Sequence, residues 1–353
     1  MILDGKRILI TGGTGSLGKV LVRRILSNVL GTPAKVIVFS RDEAKQHEMR
    51  VEYQNGKSVT DEVIYRNFQN VLEFRIGDVL NYDDVCSALR DVDIVANAAA
   101  LKQVPTCEYF PLQAVRTNCL GPANIVRAIR ENQYPIETVV GISTDKACKP
   151  INVMGMTKAI QERIFLSANV LIPGTRFLCV RYGNVLASRG SVIPLFHEQM
   201  KSGGPITITV GDMTRFLLSI EEAVDTVFAA LRHGRAGDIF VPIIPSATVM
   251  NIAKALIGKR GIAIRTIGIR PGEKMHEIMI SEEESYRTVR RGNYYVIQCM
   301  LPEVRTEEVS DSEAGREFSS GDHVVSLEQT EALLRKHRLM VEDLAQQRGE
   351  LLR

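Results

Sequence analysis

Ser143-Thr144-Asp145-Lys146 sets a hydroxyl, a carboxylic acid and an amine in succession. An acid beside a base, at the carboxyl end of an expected strand, can give and take protons from a bound ligand. On a blander reading Asp145 is a helix N-cap and Lys146 a surface cation. Further along, Asn152-Val153-Met154-Gly155-Met156-Thr157-Lys158 places Met154 and Lys158 four residues apart, on one helix face. An alcohol oxidised by hydride removal ordinarily loses its hydroxyl proton to a phenol at the first of these positions, its pKa lowered by the ammonium at the second. Met154 is a thioether and exchanges no proton, so that mechanism fails here. Tyr53 and Lys57 have the same spacing but straddle Asn55-Gly56 ahead of the third expected strand, on the wrong side of the fold.

Thr11-Gly12-Gly13-Thr14-Gly15-Ser16-Leu17-Gly18 suggests a second kind of chemistry. Gly12, Gly15 and Gly18 let a backbone turn sharply and approach a pyrophosphate, whose charge the N-terminus of a following helix favours. Gly12, Thr14, Gly15, Ser16, Leu17 and Gly18 are the expected cradle. Such a pattern carries weight only between a strand and a helix.

The surrounding elements supply that context. Lys6–Ile10 is a short apolar run, and Leu17–Leu26 carries Leu17, Val20, Leu21 and Ile25 at helical spacing. Strands are expected at Lys35–Phe39, Leu72–Ile76, Ile94–Asn97, Thr138–Ile142 and Phe177–Arg181, with a helix over 155–168. This alternation predicts an α/β fold, a doubly wound parallel sheet of the Rossmann kind, with ligands beyond the carboxyl ends of its strands. Past residue 185 the rhythm weakens, with helices at 221–232 and 249–257, a polar acidic stretch at 303–323 and a helical tail from 326. The expected division is a dinucleotide-binding domain over 1–185, to which 220–242 returns, and a smaller C-terminal substrate lobe and tail from 186–219 and 243–353.

The end of the second strand selects the dinucleotide. A carboxylate there binds a ribose 2′-hydroxyl, whereas basic groups pair with a 2′-phosphate. Ser40, Arg41 and Lys45 suit a phosphate and Asp42 comes one step late, so NADP is expected, with Arg41 as a merely solvated cation the alternative. Asp78 and Val79 are placed to cap the adenine, unless Asp78 is a plain N-cap. Ala98 to Ala100 offer a floor of small residues under the nicotinamide, with Lys102 following.

Composition excludes other classes. The chain has 353 residues, against a prior of roughly 150 per domain. Forty-four Lys and Arg against 41 Asp and Glu leave +3, too little to mark a nucleic-acid binder. Apolar stretches break well short of the ~18 residues of a membrane span. The six cysteines include no CxxC and read as scattered reduced thiols, with neither disulfides nor a metal site expected. Met1–Gly5 leads straight into a strand without a signal or transit peptide, so a cytoplasmic protein is expected.

Across nearly its whole length the sequence resembles the UDP-N-acetylglucosamine 4,6-dehydratases of the extended short-chain dehydrogenase/reductase superfamily, enzymes of polysaccharide and surface-glycan biosynthesis. The resemblance rests on the glycine loop, Phe39–Asp42, Ala98–Pro105, Ser143–Ala147, Arg181–Asn184, Ser188–Pro194, Met213–Phe216 and Gly268-Ile-Arg-Pro-Gly-Glu-Lys-Met-His276. It is strongest to the shorter, C5-inverting members, some of which carry Met where others keep Tyr. The resemblance implies that NADP⁺ takes hydride from sugar C4, that C5 loses a proton and C6 its hydroxyl as water, and that the hydride returns at C6. It further implies that Lys146 removes the C5 proton, that Asp145 protonates the departing oxygen, that Thr144 meets the C4 hydroxyl, and that Lys158 holds the nicotinamide ribose. Lys146 must then be largely neutral, its pKa pushed down by Lys158 and the nicotinamide. Arg270 and Arg215 are expected on the UDP diphosphate, Arg189 and Asn184 along the nucleotide pocket, Lys102 near the sugar and Glu273 on the uridine ribose. Each is otherwise an ordinary surface residue, and His276 is expected to pack. UDP-N-acetylglucosamine and a second copy of the chain are the partners implied.

Two rivals share this scaffold. A UDP-sugar 4-epimerase uses the same C4 oxidation but needs no acid to expel water. A non-catalytic NADP-binding regulator would explain the missing phenol but not the acid–base pair.

Overall fold

Apolar β-branched runs buried on both faces form the centre of the protein, whose computed structural model describes residues 1–54, 68–186, 191–305 and 315–345. Strands β1 (Arg7–Thr11), β2 (Lys35–Ser40), β3 (Leu72–Ile76), β4 (Ile94–Asn97), β5 (Thr138–Ile142), β6 (Arg176–Val180) and β7 (Ile239–Pro242) are all parallel, in the order β3-β2-β1-β4-β5-β6-β7. Helices α1 (Ser16–Leu26), α2 (Glu43–Gln54), α3 (Tyr82–Leu89), α4 (Gly121–Asn132), α5 (Val153–Leu171) and α6 (Ile220–His233) flank it. α1 packs on α6, while α4 packs on both α3 and α5. The strand order reverses between β1 and β4, opening a crevice at their carboxyl ends.

The far edge departs from expectation. Residues 288–297, which the sequence reading leaves in the smaller lobe, form a hairpin of β8 (Thr288–Arg291) and β9 (Tyr294–Ile297), and β9 adds antiparallel to β7. The reason is local and was legible: Gly292-Asn293 makes the turn, with Gly292 at φ +62°, and Val296 and Ile297 are fully buried.

A second apolar cluster gathers Ile193, Phe196, Ile206, Met213, Ile252, Leu256 and Leu334. Here helix 249–257 lies against helix 327–336, the latter opened by a capping box between Ser326 and Gln329. No helix among the described residues is long and apolar enough to cross a membrane.

Candidate active site

Gly12 leaves β1 at φ +65°, and a Cβ there would stand 2.8 Å from the amide nitrogen of Ala99. A Cβ on Gly18 would fall 2.5 Å from Gly13 Cα. Both positions therefore admit only glycine without displacing backbone. Gly15 is the N-cap of α1 and offers no side-chain acceptor, so the first-turn N–H groups are left for an anion. Thr14 is buried, with its hydroxyl 3.4 Å from Ser40 Oγ, while Ser16 is exposed and Leu17 half-buried at the helix start. Across the crevice Thr11 Oγ1 donates to Asn97 Oδ1 at 2.7 Å and accepts from Ala99 N, fixing the turn into half-buried Ala98 and Ala100. The buried amide nitrogen Asn97 Nδ2 has no protein partner. A nicotinamide dinucleotide fits this uncapped, glycine-lined crevice.

At the end of β2 the side chain of Arg41 is 65% exposed, with Nη1 3.5 Å from Asp78 Oδ2. Lys45 turns instead to Asp42, Nζ to Oδ2 at 2.5 Å, and this hydrogen bond holds the Asp42 carboxyl below its ordinary range. Asp78 is not an N-cap. Its Oδ1 accepts from Leu80 N, and Asn81 caps α3, leaving Asp78 beside Arg41 at the strand end, with Val79 buried next to it in the chain.

β5 runs on into Ser143, anchored when its hydroxyl donates to Glu162 Oε1 of α5 at 2.5 Å. Glu162 in turn shares the fully buried Arg181 with Glu284, at 2.6 and 2.7 Å, tying the strand ends to the C-terminal segment. On this frame Thr144 Oγ1 donates to Asp145 Oδ1 at 2.9 Å and caps a short 3₁₀ turn over Asp145–Ala147. Asp145 is fully buried, and its Oδ2 has no protein partner. Lys146 Nζ meets three acceptors: Asp145 Oδ1 at 3.1 Å, Asn184 Oδ1 at 2.9 Å and Glu277 Oε1 at 3.1 Å.

The charges do not follow the expectation of a neutral Lys146. Burial alone would lower its pKa, but Asp145 and Glu277 outweigh it and hold the ammonium above its ordinary value. Burial pushes the Asp145 carboxyl up, against the pull of Lys146 and with the help of Glu277. The lysine whose pKa falls is Lys158, brought down to about 8 by burial. Its Nζ donates to the carbonyl of Ile142 at 2.5 Å and to Gln161 Oε1 at 2.6 Å. Met154, one turn earlier, is buried in a small apolar cluster with Cys107 and Ala114, and so fills space.

The 268–277 segment folds over this centre through three ties. Asn152 Nδ2 donates to the Gly272 carbonyl, Lys274 Nζ to the Cys148 carbonyl, and Lys146 reaches Glu277. Arg215 does not stand open on a lobe surface. It is buried, its Nη1 donates to the carbonyls of Thr214 and Lys274, and its Nε lies 3.8 Å from Glu277 Oε1. Arg270 and Lys102 are exposed, and Glu273 is half-buried with Oε2 unpaired. Asn184, expected along the nucleotide, instead contacts Lys146. His276 does not pack: it is exposed, with Nδ1 2.8 Å from Thr214 Oγ1. Arg189 lies outside the described residues.

Two residues escaped sequence reasoning. Glu277 directly follows the last residue of the Gly268–His276 motif, and that adjacency was its one signal. Asn118, fully buried, exchanges hydrogen bonds with both backbone groups of Leu101 and donates to Thr157 Oγ1, bracing the exit from β4.

A family described as polysaccharide biosynthesis protein matches residues 8–299. The chain belongs to this family. The chain is similar to a protein of Rickettsia prowazekii (strain Madrid E), named UDP-glucose 4-epimerase, 46% identical over 303 residues that span 84% of each chain. The similarly named protein of Rickettsia conorii (strain ATCC VR-613 / Malish 7) is 45% identical over 302 residues, again 84% of each. Among solved structures, Pen from Bacillus thuringiensis superposes with a TM-score of 0.84 at 32% identity, covering 96% of this chain and 100% of its own. The dTDP-glucose 4,6-dehydratase DesIV from Streptomyces venezuelae shares the fold, with a TM-score of 0.63 at 20% identity over 76% of this chain and 86% of its own. The fold of this family member is thus that of the extended short-chain dehydrogenases.

Proposed function

We propose that the chain is an NADP-dependent 4,6-dehydratase of UDP-N-acetylglucosamine, of the C5-inverting type. The observation that carries this reading is the buried Asp145, its Oδ2 unpaired and its carboxyl raised, beside a lysine. A protonated carboxyl in that state is a general acid waiting for an oxygen.

When bound, the dinucleotide supplies the chemistry of taking a hydride from sugar C4 and returning it to C6. The remaining work falls to side chains. Thr144 orients the C4 hydroxyl through its bond to Asp145. Lys146 removes the C5 proton, made acidic by the neighbouring ketone, once its own ammonium proton has moved to a carboxylate. Asp145 Oδ2 protonates the C6 oxygen, which leaves as water. Lys158, at the carboxyl end of β5, holds the nicotinamide ribose. Arg41 pairs with the 2′-phosphate, Asp78 and Val79 border the adenine, and Lys102 and Asn184 border the sugar. Arg270 and Glu273 take the UDP moiety, with Arg189 alongside, while Arg215 adds positive charge from behind Glu277.

A second copy of the chain completes the assembly in this reading, in support of which Leu112, Leu120, Met156 and Ile160 are 61%, 51%, 46% and 49% exposed. The six cysteines are free, in keeping with a cytoplasmic setting.

The relatives named UDP-glucose 4-epimerase favour a second reading, in which C4 is oxidised and reduced again without loss of water. Incubation with UDP-N-acetylglucosamine separates the two by mass. A product lighter by one water supports the dehydratase, and an isomer of unchanged mass supports the epimerase. A non-catalytic regulator leaves the sugar untouched.

A further inference from the structure

Glu277 is buried and rigidly mounted. Its backbone N–H donates to Ser320 Oγ at 2.9 Å, and its carbonyl accepts from Ser320 N at 2.8 Å. Its Oε1 meets Lys146 Nζ at 3.1 Å and Arg215 Nε at 3.8 Å, while Oε2 is buried without a partner. Lys146 therefore stands midway between two carboxylates, 3.1 Å from each, and its third N–H goes to the neutral amide of Asn184. Asp145, Lys146 and Glu277 form a closed set of three titrating groups. The other charges facing it are Arg215 and Lys274, and Glu277 feels both.

Three titrating groups in contact exchange protons as one set. Lys146, Arg215 and Lys274 act on Glu277 and favour its ionised form, whereas burial outweighs the pull of Lys146 and of the Thr144 hydroxyl on Asp145. We propose that Glu277 is a positioning residue for the acid–base pair: it holds the Lys146 ammonium so that a proton stays on Asp145, and it receives that ammonium proton when Lys146 acts at C5. This assignment rests on the dehydratase reading for its second half only.

The step balances. The Nζ–H bond breaks and its proton bonds to Glu277 Oε1, freeing the amine lone pair. That lone pair takes the C5 proton, the C5–H electrons form the C5–C6 double bond, and the C6–O bond breaks as Asp145 gives its proton to the departing oxygen. Afterwards the ammonium returns a proton to Asp145 Oδ1 and is refilled from Glu277, which restores the starting charges. No outside oxidant is needed for this step; the C4 hydroxyl proton released on oxidation goes to solvent, and solvent supplies the proton that C5 regains when hydride returns to C6.

The test begins with the full-length protein alone, by infrared difference spectroscopy between wild type and Asp145→Asn, which isolates the carbonyl band of protonated Asp145. Wild type should show the band at neutral pH, and Glu277→Gln should lose it, because Lys146 then serves Asp145 alone. Glu277→Asp, which keeps the charge, should retain the band with its midpoint moved to lower pH. A band that titrates identically in wild type and in whichever Glu277 variant folds overturns the proposal, as does its absence from wild type at neutral pH. With NADP and UDP-N-acetylglucosamine, Glu277→Gln should lower kcat by on the order of 10²-fold with little change in KM, and Glu277→Asp should recover part of it. A Glu277→Gln enzyme with wild-type kcat overturns the relay. The wild-type product tests the dehydratase reading separately, since the infrared band requires no substrate.

Discussion

Asp145 Oδ1 accepts a hydrogen bond from Lys146 Nζ at 3.1 Å, while its other oxygen, fully enclosed, has no hydrogen-bond partner in the protein. In the proposed mechanism the first oxygen holds the base and the second serves the leaving oxygen. Asp145→Asn and Lys146→Ala should each lower dehydration by about 10²–10⁴-fold, with the fold and dinucleotide affinity kept. Because the folded pKa of Asp145 lies above its unfolded value, the native state binds the extra proton, and stability falls as pH rises through that window. Asp145→Asn should therefore melt above wild type at neutral pH, and the gap should close as pH falls towards the ordinary carboxylate range. Thermal scans across pH check the sign.

Lys158 gives the opposite slope. Its pKa of about 8 lies below the ordinary 10.5, so the unfolded chain binds more protons between those values. The penalty for burying it is full below about pH 8 and relieved towards 10.5, a change on the order of 3 kcal/mol. Lys158→Met should flatten that part of the stability profile in denaturant titrations while weakening dinucleotide binding.

Arg41 is exposed beside Asp78, and Lys45 is held by Asp42, so Arg41 carries most of the expected selectivity. Arg41→Ala should cost about 1.5–3 kcal/mol in NADP binding and little for NAD. Calorimetric titration of both dinucleotides reads this directly, and equal wild-type affinities would remove NADP from the account.

Met154 packs with Cys107 and Ala114, so a side chain of similar volume should serve. Met154→Leu should cost less than about 1.5 kcal/mol in stability and leave C4 oxidation near normal. Thr144→Val should be worse, since it removes the hydroxyl bonded to Asp145. Single-turnover absorbance of the reduced nicotinamide compares them, and a Met154→Leu enzyme that is slower than Thr144→Val would give the sulfur a role.

What the sequence disclosed was local. Apolar runs bounded by turns located β1 to β6 within a residue at either end, and the helix expected over 155–168 extends to Val153–Leu171 because Asn152 caps it earlier. The glycine loop and Thr144–Lys146 were legible because their chemistry lies in consecutive residues. Glu277 was not, because its meaning comes from Lys146, which only the tertiary fold brings to it. The charge of Lys146 was misjudged for the same reason: the reading counted a cation nearby and missed a second carboxylate. Arg215, taken for an open phosphate binder, is turned inwards by carbonyls that no spacing rule reveals.

The most direct measurement is the proton spectrum of the product made from UDP-N-acetylglucosamine in deuterated water. The account predicts a methyl group at C6 in place of the hydroxymethyl, a ketone at C4 and solvent deuterium at C5. A C4 epimer that keeps its C6 hydroxyl and carries no label at C5 would contradict it.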